Sequence, residues 1–372
     1  MNNLRRVGLL IICLVISSNA WSKKYPYING STLFEIQPDR VLSTNSSGVK
    51  SNNAYIYVQP DFSLNFNRNW SIKTQWRYQP NDILQTRNSQ DPERYREFLQ
   101  SDREVSIGDN GMLIEELKLH FENEDMMFQF GKYDPGFGTG YVKTNRIGIF
   151  SSQFNEDYNL REKLGASISA LLEDSKITFN SFFSDTTDLS ESAIQDRGRA
   201  DRKTGIAGTT GTLSSYSLEL EGKNLWSKEN WNYNIGYRSL SVDNSPGKQR
   251  EVGYVLGTSY DYELGLNTTL IPYFEIAKFS DFTGEVGRKA TFITAALSLR
   301  YSSWNLGVSH LSKDITRSVV GTKVDADDKL FQLYVGYKFS DRLSLDFTRA
   351  SVEEYGKKGS IAGLLMSYKY EF

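Results

Sequence analysis

Every second residue at the C-terminal end of the chain is apolar or aromatic, and this alternation strongly constrains the fold. The alternating residues are Leu364, Met366, Tyr368, Tyr370 and Phe372. A period of two places them on one face of a β-strand, with mostly polar residues on the other face. The same alternation recurs over residues 70–79, 293–301, 331–339 and 342–347. The sequence therefore predicts several strands that each have one apolar and one mostly polar face.

Composition excludes several classes of protein. After residue 16, none of the 372 residues belongs to an apolar run of roughly 20 residues, which a membrane-spanning helix needs. The 43 basic and 45 acidic residues nearly balance, whereas nucleic-acid-binding proteins normally carry a basic excess. The single cysteine excludes a disulfide framework and a cysteine zinc site. With no phosphate-binding loop or metal-ligand cluster in the sequence, we expect neither a cofactor nor a metal.

The first twenty residues have the three parts of a secretory signal peptide. Arg5 and Arg6 supply the positive charge, residues 7–16 are apolar, and residues 18–20 are small. We expect cleavage after residue 20, which would remove Cys13, the single cysteine. A short N-terminal membrane anchor is the alternative interpretation. Export of a cysteine-free chain suits a compartment in which thiols are oxidised.

The alternating strands fit either a soluble β-sandwich or a membrane barrel. Aromatic residues stand at the ends of apolar faces, as in residues 231–237 and 254–262, where a membrane interface would place them. The opposite faces carry charge and glycine, which suits a water-filled interior better than a packed core. Both features favour the membrane barrel.

Short and long breaks alternate along the chain, as periplasmic turns and outer loops do in outer-membrane barrels. The short breaks lie near residues 67–69, 123–124, 173–174, 223–229, 263–265, 302–303 and 340–341. The long polar stretches are 37–52, 80–110, 134–161, 185–203, 243–249, 280–288, 313–328 and 352–359. With a first strand near residues 27–36, the pattern predicts one all-β domain over residues 21–372. Its fold would be a transmembrane antiparallel up-and-down β-barrel of 16 strands.

The C-terminal strand resembles the assembly signal of Gram-negative outer-membrane proteins. Tyr368, Tyr370 and Phe372 carry that resemblance. It implies residence in the outer membrane, recognition by the assembly machinery, and contact with membrane lipid and lipopolysaccharide. The strand count resembles general and related porins over nearly the whole mature chain. This second resemblance implies a channel for passive diffusion of small hydrophilic solutes, often built as a homotrimer.

In that family the loop after the fifth strand folds into the barrel and narrows it, and here that loop is 134–161. Residues 131–140 are similar to the Gly-Lys/Gln-Phe-x-x-x-Phe-Gly stretch of several porin families. Within it Asp134 precedes Pro135, Phe137 and Gly138, which match the Pro-x-Phe-Gly motif of general porins. Gly136 stands where enterobacterial porins have an acidic residue, which puts their cation preference in doubt here. A glycine-rich turn is the alternative interpretation.

Residue parity assigns a basic wall to the predicted pore. Two neighbouring strands would point four basic side chains inward, namely Lys73, Arg77, Lys118 and His120. Similar porins place acidic residues of the inward loop opposite such a wall, and Glu156 and Asp157 are the candidates. The two signs would create a transverse field that orients dipolar solutes, while the balanced interior charge predicts weak ion selectivity.

Two other functions remain open at this stage. His310 and Ser312 share a lipid-facing strand face and resemble the His-x-Ser-Asn stretch of outer-membrane phospholipases, although Lys313 replaces the asparagine. A lipid hydrolase is therefore one alternative, and we otherwise predict no catalytic residues. The other alternative is a surface-exposed adhesin or receptor, because residues 80–110 form a long charged segment.

Overall fold

The chain forms a closed antiparallel β-barrel in the computed structural model. The structure describes residues 24–49, 52–80, 99, 110–139, 148–191, 193–194, 205–224, 230–243, 246–319 and 322–372. The predicted signal peptide, residues 1–20, and nearly all of the charged segment 80–110 lie outside the described residues. Across the described ranges, no helix has the length and apolar character to cross a membrane.

Seventeen strand segments make up the 16 strands of the barrel. They are β1 (Tyr27–Thr44), β2 (Asn52–Asn65), β3 (Trp70–Pro80), β4 (Asn110–Glu122), β5 (Met126–Tyr133), β6 (Lys163–Leu171), β7 (Ser175–Ser184), β8 (Ser215–Gly222), β9 (Trp231–Leu240), β10 (Glu251–Tyr260), β11 (Tyr262–Gly265), β12 (Thr268–Ser280), β13 (Arg288–Tyr301), β14 (Trp304–Val319), β15 (Thr322–Lys338), β16 (Leu343–Glu354) and β17 (Lys357–Glu371). The short β11 continues β10 beyond Asp261, and both pair with β12, so they count as one strand. Every strand is antiparallel to its neighbours in the sheet.

The first and last strands close the barrel. β1 pairs with β17 over most of its length, from Ser31 opposite Glu371 to Thr44 opposite Gly359. At the end of this seam the backbone groups of Gly30 and Phe372 exchange two hydrogen bonds of 3.0 and 3.1 Å. Closure gives every described strand a neighbour on both sides, which is what a sheet surrounded by lipid requires.

The outward face of the barrel is apolar along its middle. Phe274, Leu297, Phe331 and Leu333 on β12, β13 and β15 are exposed although all four are large and hydrophobic. Near the long connections, the Tyr216, Tyr237 and Tyr254 rings form a row with centroids 6.1 and 5.3 Å apart. At the short-turn end, Trp304 and Tyr337 pack 4.7 Å apart. An apolar band between two rows of aromatic rings is the pattern of a lipid-facing surface.

The predicted strand order is confirmed, but three predicted loops are wrong in their bounds. β1 confirms the first strand near residues 27–36 but continues to Thr44, so residues 37–44 of the stretch 37–52 belong to a strand. The polar stretch 313–328, expected as a loop, belongs almost entirely to β14 and β15, which leave only residues 320–321 between them. Likewise, 352–359 is a hairpin that turns at Tyr355 and Gly356, both with positive φ. Where strands extend past the apolar band, both faces can be polar, so hydrophobic alternation no longer marks them.

Candidate pore lining and the loop inside the barrel

The described parts of the connection between β5 and β6, residues 134–139 and 148–162, lie against the inner face of the barrel. Glu275 on β12 points inward, because its neighbours Phe274 and Ile276 are on the outward face. Its carboxylate accepts hydrogen bonds from the Thr139 backbone N–H at 2.7 Å and from the Tyr158 hydroxyl at 2.6 Å. The two described parts of the connection, 134–139 and 148–162, are therefore fastened to the same inward-pointing carboxylate.

Further hydrogen bonds fasten residues 148–158 to three neighbouring strands. The Ile149 N–H donates to the Thr348 hydroxyl on β16 at 3.1 Å, and the Phe150 N–H donates to the Gln332 side chain on β15 at 3.3 Å. The Thr294 hydroxyl on β13 donates to the Asn155 side chain at 3.0 Å.

An apolar core fills the space between this loop and the wall. It includes Phe137, Phe150, Phe154, Tyr158, Phe279, Phe292, Leu311 and Leu330, all at most 4 % exposed. A uniformly polar inner face is therefore wrong for β12–β15, where apolar residues occupy both faces. The inward residues are apolar because they pack against the loop and not against water.

Arg238 on β9 joins the loop to the wall through the positive charge and the planar face of its guanidinium. Its guanidinium lies over the Phe137 ring at 4.8 Å and over the Phe279 ring at 4.4 Å. It pairs with Glu251 at 2.6 Å and donates to the Tyr158 carbonyl. A cation held between two rings and a carboxylate stabilises the loop position.

A buried charge network forms the root of the loop. Arg77 and Arg161 share the Glu115 carboxylate, with an Arg161 Nη2–Glu115 Oε1 distance of 2.7 Å. Asp134 accepts the Glu162 backbone N–H at 2.6 Å. Burial and the adjacent Glu115 charge raise the pKa of Asp134 to about 7, although Arg161 acts in the opposite direction.

A second network ties the loop root to the connection after β7. The Lys132 ammonium is fully buried and lies 3.1 Å from Glu162 and 3.0 Å from Asp185. It also donates to the Leu189 carbonyl at 2.7 Å. Three acceptors around one ammonium compensate its burial, so the two connections are held together at this point.

The inner face of β1 and β2 is different, since it is mostly polar and partly exposed, with Leu33 and Val41 as apolar members on β1. Its partly exposed polar side chains are Ser31, Glu35, Gln37, Asp39, Tyr55, Tyr57, Gln59, Asp61 and Ser63. Hydrogen bonds link neighbours along the wall, as from Gln37 to Asp39 at 2.9 Å and from Gln75 on β3 to Asp61 at 2.7 Å. Water can therefore reach this wall, while the wall opposite is covered by the loop.

A cavity of about 460 Å³ opens on this wall near the short-turn end. Its lining includes Asp61, Ser63, Lys73, Gln75 and Lys118. Lys73 and Lys118 are register partners on β3 and β4. Both side chains therefore lie on the same wall, as strand parity predicts.

The other predicted pore residues occupy different surroundings. Arg77 lies in the charge network, and His120 pairs with Glu122 at 2.9 Å toward the short-turn end. Asp157 pairs with Lys313 on β14 at 3.2 Å, and neither Asp157 nor Glu156 lines the cavity. The structure thus brings together Lys73 and Lys118, but it does not place the two loop acids beside them.

The glycine-rich motif fits tightly against the wall. Pro135 and Phe137 are buried, and Gly138 has a φ of +80° beside Val255 and Glu275. A side chain at Gly136 would collide with the Glu219 carboxylate on β8. This contact gives a physical reason for glycine where enterobacterial porins carry an acid.

The pore residues predicted from the sequence do not include three acidic residues of the inner wall, namely Glu35, Asp39 and Asp61. They were detectable, because Glu35 and Asp39 alternate with the outward-facing Phe34 and Ile36 as the strand pattern requires. The first strand carries too few apolar residues for that alternation to stand out.

The His310 and Ser312 pair lacks the geometry of a catalytic dyad. His310 is exposed on the outward face of β14, as parity predicts. Within the described part of the chain, neither side chain has a hydrogen-bond partner, so nothing there orients the imidazole or activates the hydroxyl. The described residues also contain no group of three or more potential metal-ligating side chains.

A closed 16-stranded barrel with an apolar outer face, a loop against the inner wall and a polar inner strip is the fold of outer-membrane porins. Among solved structures, OmpF of Salmonella typhi in complex with daunomycin matches with a TM-score of 0.61 at 12% identity, over 93% of this chain and 98% of that one. The outer membrane channel DcaP of Acinetobacter baumannii matches with a TM-score of 0.55 at 8% identity, over 95% and 100%. The outer membrane protein opdK of Pseudomonas aeruginosa matches at 0.52 and 7%, over 93% and 99%.

These likenesses concern the fold. No family model matches the sequence, and no curated protein matches it significantly.

Proposed function

We propose that the protein is an outer-membrane porin of a Gram-negative bacterium that lets small hydrophilic solutes and ions diffuse passively. The observation that carries this proposal is the polar, partly exposed inner face of β1 and β2, which continues along the barrel beside a loop-covered wall. A polar strip inside an apolar-coated barrel gives hydrated solutes a route that the lipid around it denies them.

Passage through such a route involves no chemical step. The width left beside the loop would set the size limit, and the wall charges would set the preference among solutes. Asp39 and Asp61 contribute negative charge, whereas Lys73 and Lys118 contribute positive charge. The mixture of signs favours weak ion selectivity.

The proposal includes the surroundings of the channel. The N-terminal leader would direct export, and the C-terminal Tyr368, Tyr370 and Phe372 would direct recognition by the outer-membrane assembly machinery. Membrane lipid and lipopolysaccharide would contact the apolar outer face. A homotrimer packed through barrel walls is the assembly that the resemblance to porins implies.

A planar-bilayer recording tests the proposal directly. Residues 21–372, folded in detergent and purified, should give discrete ion-current steps in potassium chloride. The chain without its leader has no cysteine, so single cysteines can be introduced without background. No current from folded protein would overturn the proposal.

Two cysteine variants at adjacent positions, one facing inward and one facing outward, make the test more specific. Ser63 lines the cavity, whereas Leu64, the next residue on β2, has the outward parity. A charged methanethiosulfonate reagent should reduce the current through Ser63→Cys and leave Leu64→Cys unchanged. Equal responses from both variants would show that the current does not follow this inner wall.

A further inference from the structure

The cavity beside β1–β4 contains charges of both signs, and most of them are already paired. Its five charged side chains are Asp61, Lys73, Glu116, Lys118 and Glu371. Lys118 pairs with Glu116 at 2.7 Å, and Glu371 pairs with Lys369 at 2.6 Å. Only Asp61 and Lys73 form no ion pair within the described part of the chain.

The Asp61 carboxylate is oriented but not neutralised. It accepts amide hydrogens from Gln75 at 2.7 Å and from Gln59 at 3.3 Å, and both donors are uncharged. Two amide donors fix the carboxylate in place and leave its negative charge available to a cation. The acid is therefore prepared for a partner that the described chain does not supply.

Lys73 is the complementary group. Its side chain is only partly exposed, and it forms no hydrogen bond or ion pair with any described residue. An ammonium that lines a cavity without an acceptor gains charge-assisted hydrogen bonds when an anionic group enters.

Strand register makes the two groups diagonal neighbours on one wall, and they form no ion pair with each other in this structure. Asp61 is opposite Gln75, and Ser63 is opposite Lys73, so Asp61 and Lys73 are diagonal neighbours on β2 and β3. Such neighbours lie about 7–8 Å apart at the backbone. Both groups line the same cavity of about 460 Å³, which has room for a small solute between them.

We propose that this cavity is a binding site for short zwitterionic solutes, which carry an ammonium and a carboxylate. The solute carboxylate contacts Lys73 and the solute ammonium contacts Asp61. Lys73 is two positions nearer the β2–β3 turn than Gln75, so the solute lies along the strands with its carboxylate toward the short-turn end. This inference rests on the proposed function, since it names the solute class of the same pore.

A zwitterion fits the site better than a simple ion. A lone anion at Lys73 would lie near the negative charge of Asp61, and a lone cation at Asp61 would lie near the positive charge of Lys73. A solute with both charges meets both groups and adds no net charge to the cavity.

Single-channel recording in potassium chloride tests the site. Glycine and β-alanine should each interrupt the wild-type current, whereas acetate, methylammonium and glycerol at the same concentration should not. The variants are Asp61→Asn and Lys73→Gln, both close in size to the original residues. The matched control is Glu221→Gln, which alters an acid that is paired with Lys176 outside the cavity.

Each of the first two variants should reduce the affinity for glycine at least about tenfold, because it removes one charge-assisted hydrogen bond. The control should bind glycine as the wild type does. Unchanged glycine binding in Asp61→Asn and Lys73→Gln would overturn the proposal, and so would interruption by acetate alone.

A binding measurement separates this proposal from the pore itself. Calorimetric titration of glycine into the folded, detergent-solubilised barrel detects the site without any current. Glycine binding without ion conductance would contradict the channel and support the site. Ion conductance without glycine binding would contradict the site and support the channel.

Discussion

The Tyr158 hydroxyl donates a 2.6 Å hydrogen bond to the Glu275 carboxylate, and this bond joins the connection after β5 to the inner face of β12. Burial and the adjacent Glu275 charge raise the pKa of Tyr158 well above its usual range, so the hydroxyl remains a donor at all ordinary pH values. The loop position thus depends on a hydroxyl that keeps its proton and donates it to Glu275.

Replacing Tyr158 by phenylalanine should loosen the loop without unfolding the barrel. A hydrogen bond to a charged group contributes about 1.5–3 kcal/mol, and Glu275 keeps its bond from the Thr139 backbone. We expect larger fluctuations of the open-channel current and faster proteolysis in 134–161. Tyr233→Phe is the control, because it removes a 2.8 Å hydroxyl–hydroxyl bond to Ser175 near the short turns, outside the loop. Identical current noise in both variants would contradict this role of Tyr158.

Lys313 should be more important for stability than its partner Asp157. Its ammonium lies 3.2 Å from Asp157 and 3.3 Å from Asp328, and all three side chains are at most 6% exposed. Lys313→Met would remove the ammonium that both buried carboxylates contact, and breaking a buried ion pair costs about 3–5 kcal/mol in comparable cases. Asp157→Asn leaves the Lys313–Asp328 pair intact and should cost less. The free energy of unfolding in denaturant distinguishes the two, and equal losses would refute the ranking.

The Asp134 carboxyl should make the stability of the folded barrel depend on pH. Its pKa is about 7 in the folded protein, against an ordinary value of 3.8. The folded state therefore binds the proton more tightly than the unfolded state, so the contribution is fully present below about pH 4 and is lost as the pH rises through 7. Asp134→Asn, which keeps an acceptor for the Glu162 N–H, should abolish this part of the pH dependence.

Denaturant midpoints at pH 5 and pH 8 measure the effect of Asp134. The wild-type midpoint should fall more between these values than the Asp134→Asn midpoint does. Glu115, Glu116 and Arg161 also act on this carboxyl, and they remain in both proteins. A wild-type midpoint that falls no more than that of the variant would show that Asp134 is ionised in the folded protein at both values.

Deleting Phe372 should impair assembly more than its position at the chain end suggests. Its backbone makes the last two hydrogen bonds of the barrel seam with Gly30, and its ring lies 5.9 Å from the Phe62 ring. We expect a lower yield of the compact, heat-modifiable form on gel electrophoresis. Phe372→Tyr keeps the backbone bonds and an aromatic ring, so it should assemble normally. Equal yields for the deletion and the wild type would argue against a role for this residue.

The strand order could be predicted from the sequence because alternation is local. For residues such as Tyr368 and Phe372, the polarity of the adjacent residues indicates which face of the strand they occupy. The inward position of the basic pair Lys73 and Lys118 follows from the same parity. Glu115 shows the limit, since an irregularity in the β3–β4 register puts both it and Glu116 on the inner side.

The loop contacts could not be predicted, because they join residues far apart in the sequence. Asp157 pairs with Lys313, 156 positions away, and no periodic pattern identifies such a partner. The inward-facing Phe292 and Leu311 resemble ordinary members of apolar runs until a loop packs on them. Which residues pair across the barrel depends on three-dimensional packing, and local sequence patterns do not reveal that packing.

Because the loop packs on one side of the barrel only, different strands have different roles. β12–β15 hold the loop through an apolar core, and substitutions there affect folding first. The inner positions of β1 and β2 face water and bear little of that core, so they can change at small cost to stability. If the protein is the channel that we propose, its permeability can therefore change by single substitutions along one hairpin without loss of the packing that keeps the barrel folded.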